Sequence, residues 1–378
     1  MTGRSGCAMV GAKVQGVRGK QRIRGIDGAR GWLAWAVVAG HILPVMGLDF
    51  PGALTASVAG DEAVLLFIVI SGFVITHLIL AEREPYPLFI ARRFLRIYPV
   101  YLVCLALGVW TALRFGVAAP EPGRFVPQLL VHLLLLQGAV PDELLRNASM
   151  TFVGPAWSLS LEWQFYLIAP LVLGLLRRPA GSLAMLLLVG LGIVAFQRHD
   201  FGTFDMVSFL PGAGAQFAVG VGTRLALDRL RRSDAVLVVA GAAGALLILL
   251  HPWEAYLGIW VLVIAYARLG PDAVVAPALP IRIAGLLLDS RWARAAGRRS
   301  FPVYLIHMPI ITVTAYMVGA LPHLGRISEL LELTTISVLL TIAGSELLHR
   351  LVERPAIAFG RRLREGTTLR IARAQPAD

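Results

Sequence analysis

The stretch VPQLLVHLLLLQGA, residues 126–139, decides how the chain is threaded. It is apolar enough to enter a bilayer, but its 14 residues make only about 21 Å of helix. The hydrocarbon core of a bilayer is roughly 30 Å thick. Ten other apolar runs flank it: 31–47, 63–80, 98–116, 156–176, 183–197, 207–226, 235–250, 255–270, 302–320 and 333–352. Suppose that 126–139 does not cross and the N-terminus is cytoplasmic. The inner segments then hold seven Lys/Arg within residues 1–30, the cluster Arg83, Arg92, Arg93 and Arg96, and the pair Arg177 and Arg178. They also hold Arg224, Arg229, Arg231 and Arg232, six arginines from Arg268 to Arg299, and seven from Arg350 to Arg373. That is 30 of the 35 basic residues, with Arg114, Arg124, Arg146, Arg198 and Arg326 left outside. A crossing at 126–139 would export every later cluster, against the tendency of Lys and Arg to stay on the cytoplasmic side. The expected architecture is all-α: a polytopic transmembrane helical bundle of about ten spans with both termini cytoplasmic. Residues 117–155 become an outer excursion whose short helix dips into the interface or lies along it.

Composition agrees. Charged residues are 15% of the 378 and hydrophobic ones 57%, with a mean hydropathy of +0.72. Soluble domains carry roughly 25% charged residues, so a soluble globular chain is excluded. The formal charge of +12 is divided among the loops between spans. It reads as topology and affinity for anionic lipid, with no nucleic acid as partner. Two cysteines, Cys7 and Cys104, exclude a disulfide framework and a Cys-based metal site. Residues 1–24 are basic and Gly-rich, and the run from Trp32 to Met46 lacks a small-residue cleavage site. A retained first span is expected there, not a cleaved signal. The tails 1–24 and 365–378 read as disordered.

Polar groups inside spans are costly, and each asks for a reason. In RGIDGARGWLAWAVVAGHI, Arg30 and His41 lie eleven residues apart, three helical turns plus about 20°, on one face and about 16 Å apart along the axis. An imidazole there can take a proton from a hydroxyl near neutral pH; the alternative is a histidine hydrogen-bonded between helices. In RRFLRIYP, Arg93 and Arg96 share a face at i, i+3. Two guanidiniums suit phosphate, which they bind through forked hydrogen bonds; the alternative is a stop-transfer cluster. In PAWSLSLEWQFYLIAP, Glu162 must be neutral, paired or facing a wet cavity, whereas Trp157, Trp163 and Tyr166 also fit an interfacial belt. His307 falls in FPVYLIHMPI, and Glu353 in HRLVERP, where Arg350 or Arg354 is a ready partner. Ser71 and Gly72, in FIVISGFVIT, allow close helix packing.

Taken in order, IDGAR with His41 beyond it, FIVISGFVIT, RRFLRIYP, WSLSLEWQFY, YLIHMP and ERP resemble the membrane-bound acyltransferase family 3. That family includes bacterial O-antigen and exopolysaccharide O-acetyltransferases and macrolide acyltransferases. The motifs run from 25 to 355, which divides the chain into a disordered basic tail (1–24), an acyltransferase 3-like transmembrane domain (25–355) and a cytoplasmic basic C-terminal tail (356–378). The resemblance implies a multi-pass enzyme of the cell inner membrane. It would take an acyl group, usually acetyl, from cytoplasmic acyl-CoA and pass it to a carbohydrate, glycolipid or small hydroxylated acceptor, without a metal. Arg30, Arg93 and Arg96 would then hold the donor, and His41 would act as base or transient acyl carrier. Glu162 would orient His41 or hold the acceptor, with Asp27, Ser71, Tyr98, His307 and Glu353 in support.

Two departures stand out: Leu65 where the family often has Asp, and Gly40 where Tyr is common. A C-terminal hydrolase-like domain, carried by some relatives, is not expected here. Acceptor choice is expected in the outer segments 48–62, 117–155 and 321–332. The rival class is a membrane transporter or exporter of a small carboxylate or sugar, because buried His and Glu also serve proton relays.

Overall fold

A computed structural model describes residues 23–45, 56–82, 84–198, 200–202, 204, 208–227, 241–244, 246, 254–269, 278–319 and 326–374. Residues 1–22 of the expected tail 1–24, residues 48–55 of the first outer segment, most of the expected span 235–250, and residues 321–325 of the third outer segment lie outside them. Among the described residues the fold is all-helical. Its helices are α1 (Ile26–Val45), α2 (Ala56–Glu82), α3 (Tyr86–Phe115), α4 (Phe125–Leu133), α5 (Trp157–Leu175), α6 (Pro179–Gln197) and α7 (Leu210–Leu227). There follow α8 (Ala255–Leu269), α9 (Ala278–Asp289), α10 (Arg291–Gly319), α11 (Arg326–Leu348) and α12 (Arg354–Ala374). A five-residue π turn, His349–Glu353, joins the last two.

Six helical stretches among the described residues are long and apolar enough to cross a membrane: Gly60–Glu82, Tyr86–Phe115, Gly154–Leu175, Pro179–Gln197, Ile283–Gly319 and Ser328–Thr367. α6 has no buried residue, and Leu183, Leu186, Leu187 and Leu191 on it are all exposed. A helix apolar all round, with none of its residues buried inside the protein, has lipid as its solvent. The chain is a multi-pass membrane protein.

α1 lies between α2 and α10, α2 continues onto α7, and α12 returns to α3. Small residues make these approaches possible. A Cβ on Gly297 of α10 would sit 1.8 Å from the Asp27 carbonyl oxygen of α1, and one on Gly220 of α7 would sit 2.1 Å from the Val69 oxygen of α2. The packing role expected of Gly72 holds, since its Cβ would fall 2.6 Å from the Phe217 oxygen. Ser71 beside it has a different partner, described below.

The stretch 126–139 forms the nine-residue α4 and a short 3-10 turn, Gln137–Ala139. Nine residues rise about 14 Å, too little to cross. The excursion around it folds back on the bundle. Tyr98 donates to the Leu133 oxygen and Tyr101 to the His132 oxygen, 2.9 Å away. Ser160 donates to the Leu135 oxygen (2.8 Å), and the Phe152 N–H donates to the Ala118 oxygen (2.8 Å), closing the loop on itself. Ala118, Leu135, Asn147 and Phe152 all adopt positive φ there, between 51° and 57°, backbone that non-glycine residues hold only when the surroundings impose it.

One expectation is corrected. Residues 365–374, read as disordered, continue α12. Ile357, Gly360, Arg361 and Arg364 fall at i, i+3, i+4 and i+7, the spacing of one helix face. That face meets the bundle at Gly360, whose Cβ would lie 3.7 Å from Arg92 Cγ, and at Arg364, 3.1 Å from Glu82.

Candidate active site

Two cavities lie along α1. The first, about 400 Å³, is lined by α1 (Asp27, Arg30), α2 (Ser71), α3 (Arg92, Arg93, Arg96), α5 (Ser158, Glu162, Tyr166), α10 (Tyr304) and α12 (Arg361) among others. The second, about 440 Å³, is lined by His41, Asp61, Thr111, Trp157, Tyr304 and Thr312, with a wall from the excursion that includes Ala118, Met150 and Phe152. Among the described residues, Tyr304 is the residue common to both walls. Its hydroxyl donates to the Pro155 oxygen at 2.9 Å and lies 2.8 Å from Ser158 Oγ. This pins α10 to the start of α5 and sets a phenol between the two spaces.

The first cavity is strongly basic. Arg92 is committed, with Nη1 2.6 Å from both Glu82 and Glu84 and all three side chains buried. Arg93 is 8% exposed, with its guanidinium 5.9 Å from the Phe89 ring. The Nε atoms of Arg30 and Arg93 are buried with no acceptor among the described residues. A buried guanidinium N–H without an acceptor is costly, and an anionic ligand removes that cost. Glu162 supplies the counter-charge. Ser71 Oγ donates to its Oε1 at 2.6 Å, and the Tyr166 hydroxyl donates to the same oxygen. Arg30 and Arg93 both lie within electrostatic range of that carboxylate.

The second cavity is built around an imidazole. His41 Nδ1 is 2.8 Å from the Val37 oxygen one turn back, which makes it the protonated nitrogen and leaves Nε2 with the free lone pair. His307 is buried on α10 and its Nδ1 faces the Val303 oxygen at 3.2 Å. Its Nε2 lies 3.4 Å from His41 Nδ1, and the rings are 5.1 Å apart. The two histidines thus steady one another across the α1–α10 contact. Asp61, near the start of α2, shares the cavity and lies within electrostatic range of His41.

The structure therefore sorts the residues singled out in the sequence. Asp27, Arg30, Ser71, Arg93, Arg96 and Glu162 come together in the first cavity. His41 is in the second, with His307 behind it. Glu162 lines the arginine cavity and not that of His41. Tyr98 lines neither: it stacks on Phe94 at 4.3 Å and ties α4 to α3. Glu353 also lines neither. Buried in the π turn, it meets His349 Nδ1 at 2.6 Å, while Arg350 pairs with Glu346 instead. Four residues were missed: Asp61, Ser158, Tyr304 and Arg361. Tyr304 sits in the quoted YLIHMP without a role, and Arg361 counted only toward topology. Asp61 was hidden in a segment expected to meet the acceptor.

Comparisons with known proteins bear on the same elements. The chain is 35% identical over 164 residues to acyltransferase MdmB of Streptomyces mycarofaciens, covering 42% of this chain and 41% of that protein. It is 26% identical over 383 aligned positions to peptidoglycan O-acetyltransferase OatA of Listeria monocytogenes, covering 89% of this chain and 56% of that one. It is also 33% identical over 152 residues to Protein 2 in picA locus of Rhizobium radiobacter, covering 36% of this chain and 75% of that one. The chain thus spans about half the length of the first two of these relatives. No solved structure matches it at a significant level. The sequence pattern of the acyltransferase domain matches residues 23–350. Since that match takes in α1, α2, α3, α5 and α10, which wall both cavities, the protein belongs to the membrane-bound acyltransferase family 3.

Proposed function

We propose that this chain is an O-acyltransferase of the cell inner membrane, with about ten crossings and both ends cytoplasmic. It would move an acyl group, acetyl by preference, from acyl-CoA to a hydroxyl of a carbohydrate or related acceptor. The observation that carries this reading is the pair of cavities meeting at Tyr304, one rich in unsatisfied arginine and the other holding His41. The relatives named for O-acetylation of peptidoglycan and for acyl transfer support it.

On this reading Arg30, Arg93 and Arg96 bind the donor's phosphates at the cytoplasmic side through forked, charge-assisted hydrogen bonds. The axial separation of Arg30 from His41, about 16 Å, is comparable to the reach of an extended pantetheine arm. Tyr304 and Ser158 narrow the way between the two spaces and keep bulk water from the thioester. His41 Nε2 takes the acceptor's hydroxyl proton as the oxygen attacks the acyl carbon; the C–S bond of the thioester then breaks, and the imidazolium returns the proton so that coenzyme A leaves as the thiol. Its Nδ1–H, held by the Val37 oxygen, fixes the tautomer, and Asp61 steadies the imidazolium that forms. Glu162, bonded by Ser71 and Tyr166, keeps the arginine cluster oriented. The acceptor lies against Trp157 and the excursion wall.

The test is acetyl-CoA binding and consumption by purified protein in liposomes. Wild type should bind and consume it, and Arg93→Ala and Arg96→Ala should each weaken binding. Transport of a small carboxylate or sugar without any acetyl-CoA consumption would favour the exporter class. Unchanged affinity in both arginine variants would return the pair to a role in topology.

A further inference from the structure

We infer that Arg361, on the C-terminal helix, is a donor-binding residue that takes the outermost phosphate of the acyl-CoA, the one on the ribose 3′ position. This rests on acyl-CoA being the donor, as proposed above. α12 lies beyond residue 350, where the family pattern ends, yet Ile357, Gly360 and Arg361 line the arginine cavity. α12 is held in place. Gly360 abuts Arg92 of α3, Arg364 pairs with Glu82, and Glu82 is bound in turn to Arg92. The Arg361 side chain, by contrast, is exposed at the cavity rim. No ion pair or hydrogen bond with the described residues occupies it.

Charge sets what it can bind. Arg92 is spent on Glu82 and Glu84, so Arg30, Arg93, Arg96 and Arg361 face Asp27 and Glu162 in the same cavity. That surplus of positive charge calls for a polyanion. Coenzyme A carries its charge at two places: a diphosphate next to the pantetheine arm, and a 3′-phosphate farther out on the ribose. The buried Arg93, whose Nε meets no acceptor among the described residues, suits the inner group. The exposed Arg361 suits the outer one.

The experiment is the dissociation constant of coenzyme A and of 3′-dephospho-coenzyme A for the full chain in detergent. Wild type, Arg361→Ala, Arg361→Lys and Arg93→Ala are compared. Wild type should lose about fivefold in affinity when the 3′-phosphate is removed, the scale of one exposed charge-assisted contact. Arg361→Ala should bind coenzyme A about fivefold more weakly and no longer distinguish the two ligands, Arg361→Lys should recover part of the difference, and Arg93→Ala should weaken both ligands alike. Equal losses for both ligands in Arg361→Ala, or no loss for either, would overturn the inference while leaving acyl-CoA as the donor. Wild type that binds neither ligand would overturn the donor reading itself.

Discussion

Gly297→Ala tests whether the close α1–α10 contact is what holds the arginine cavity in shape. The new Cβ would fall 1.8 Å from the Asp27 carbonyl oxygen and 2.4 Å from its carbon. Unstrained heavy atoms sit about 3.5 Å apart, so the two helices must part by roughly 1.5 Å. Backbone cannot swing aside as a side chain can, and overpacking of this kind costs about 1–3 kcal/mol. Gly28 and Gly31 meet α9 and α10 on the same side of α1, with Cβ positions 2.0 Å and 2.8 Å from backbone. The displacement therefore passes along the first turns of α1, where Arg30 lies three residues from Asp27. Misplacing a binding group by about 1 Å can cost up to a hundredfold in rate. Thermal unfolding in detergent, read by tryptophan fluorescence, should show a midpoint lowered by several degrees, and coenzyme A should bind at least tenfold more weakly. Gly190→Ala is the control, because its Cβ meets nothing within 4 Å among the described residues and helix propensity favours Ala by about 1 kcal/mol. If Gly297→Ala behaves like Gly190→Ala in both assays, the packing argument is wrong.

Asp61→Asn should slow acyl transfer about tenfold while leaving coenzyme A affinity unchanged, because Asp61 shares its cavity with His41 and not with the arginines; steady-state kinetics separates the two. Arg92→Ala leaves Glu82 and Glu84 buried without their shared cation and should cost about 3–5 kcal/mol, seen as a large drop in thermal midpoint and in yield of folded protein. The excursion should respond to acid through His132, outside the spans, whose pKa burial holds below its ordinary 6.5. The folded state then binds fewer protons than the unfolded one, so stability is full above about pH 6.5 and falls as pH drops below it. Hydrogen exchange in residues 125–156 should rise between pH 7 and pH 5.5, and His132→Gln should flatten that response.

The fold was legible where one physical variable dominated. Apolar runs placed α1, α2, α3, α5, α6, α7, α8, α10 and α11, and the short run at 126–139 became a helix too short to cross. α12 was missed because its many arginines lower its mean hydropathy, and a stripe of only Ile357, Gly360, Arg361 and Arg364 anchors it. The site was legible residue by residue but not as a geometry. Spacing along α1 put Arg30 and His41 on one face. Nothing local, however, tells that Glu162 of α5 meets Ser71 of α2 and not His41, or that Glu353 meets His349 and not Arg350. Such pairings depend on which helices are neighbours, and that is set by long-range contacts such as Gly297 on Asp27. Division into two cavities by Tyr304 is a tertiary fact of the same kind.

On the proposed reading donor binding and chemistry are separated, with arginines in one cavity and the base in the other. Labelled acetyl-CoA, followed with His41→Ala in liposomes that carry an acceptor glycan, reports both coenzyme A affinity and label transferred. His41→Ala should bind coenzyme A as wild type does and transfer no label. Undiminished transfer by that variant would contradict the claim.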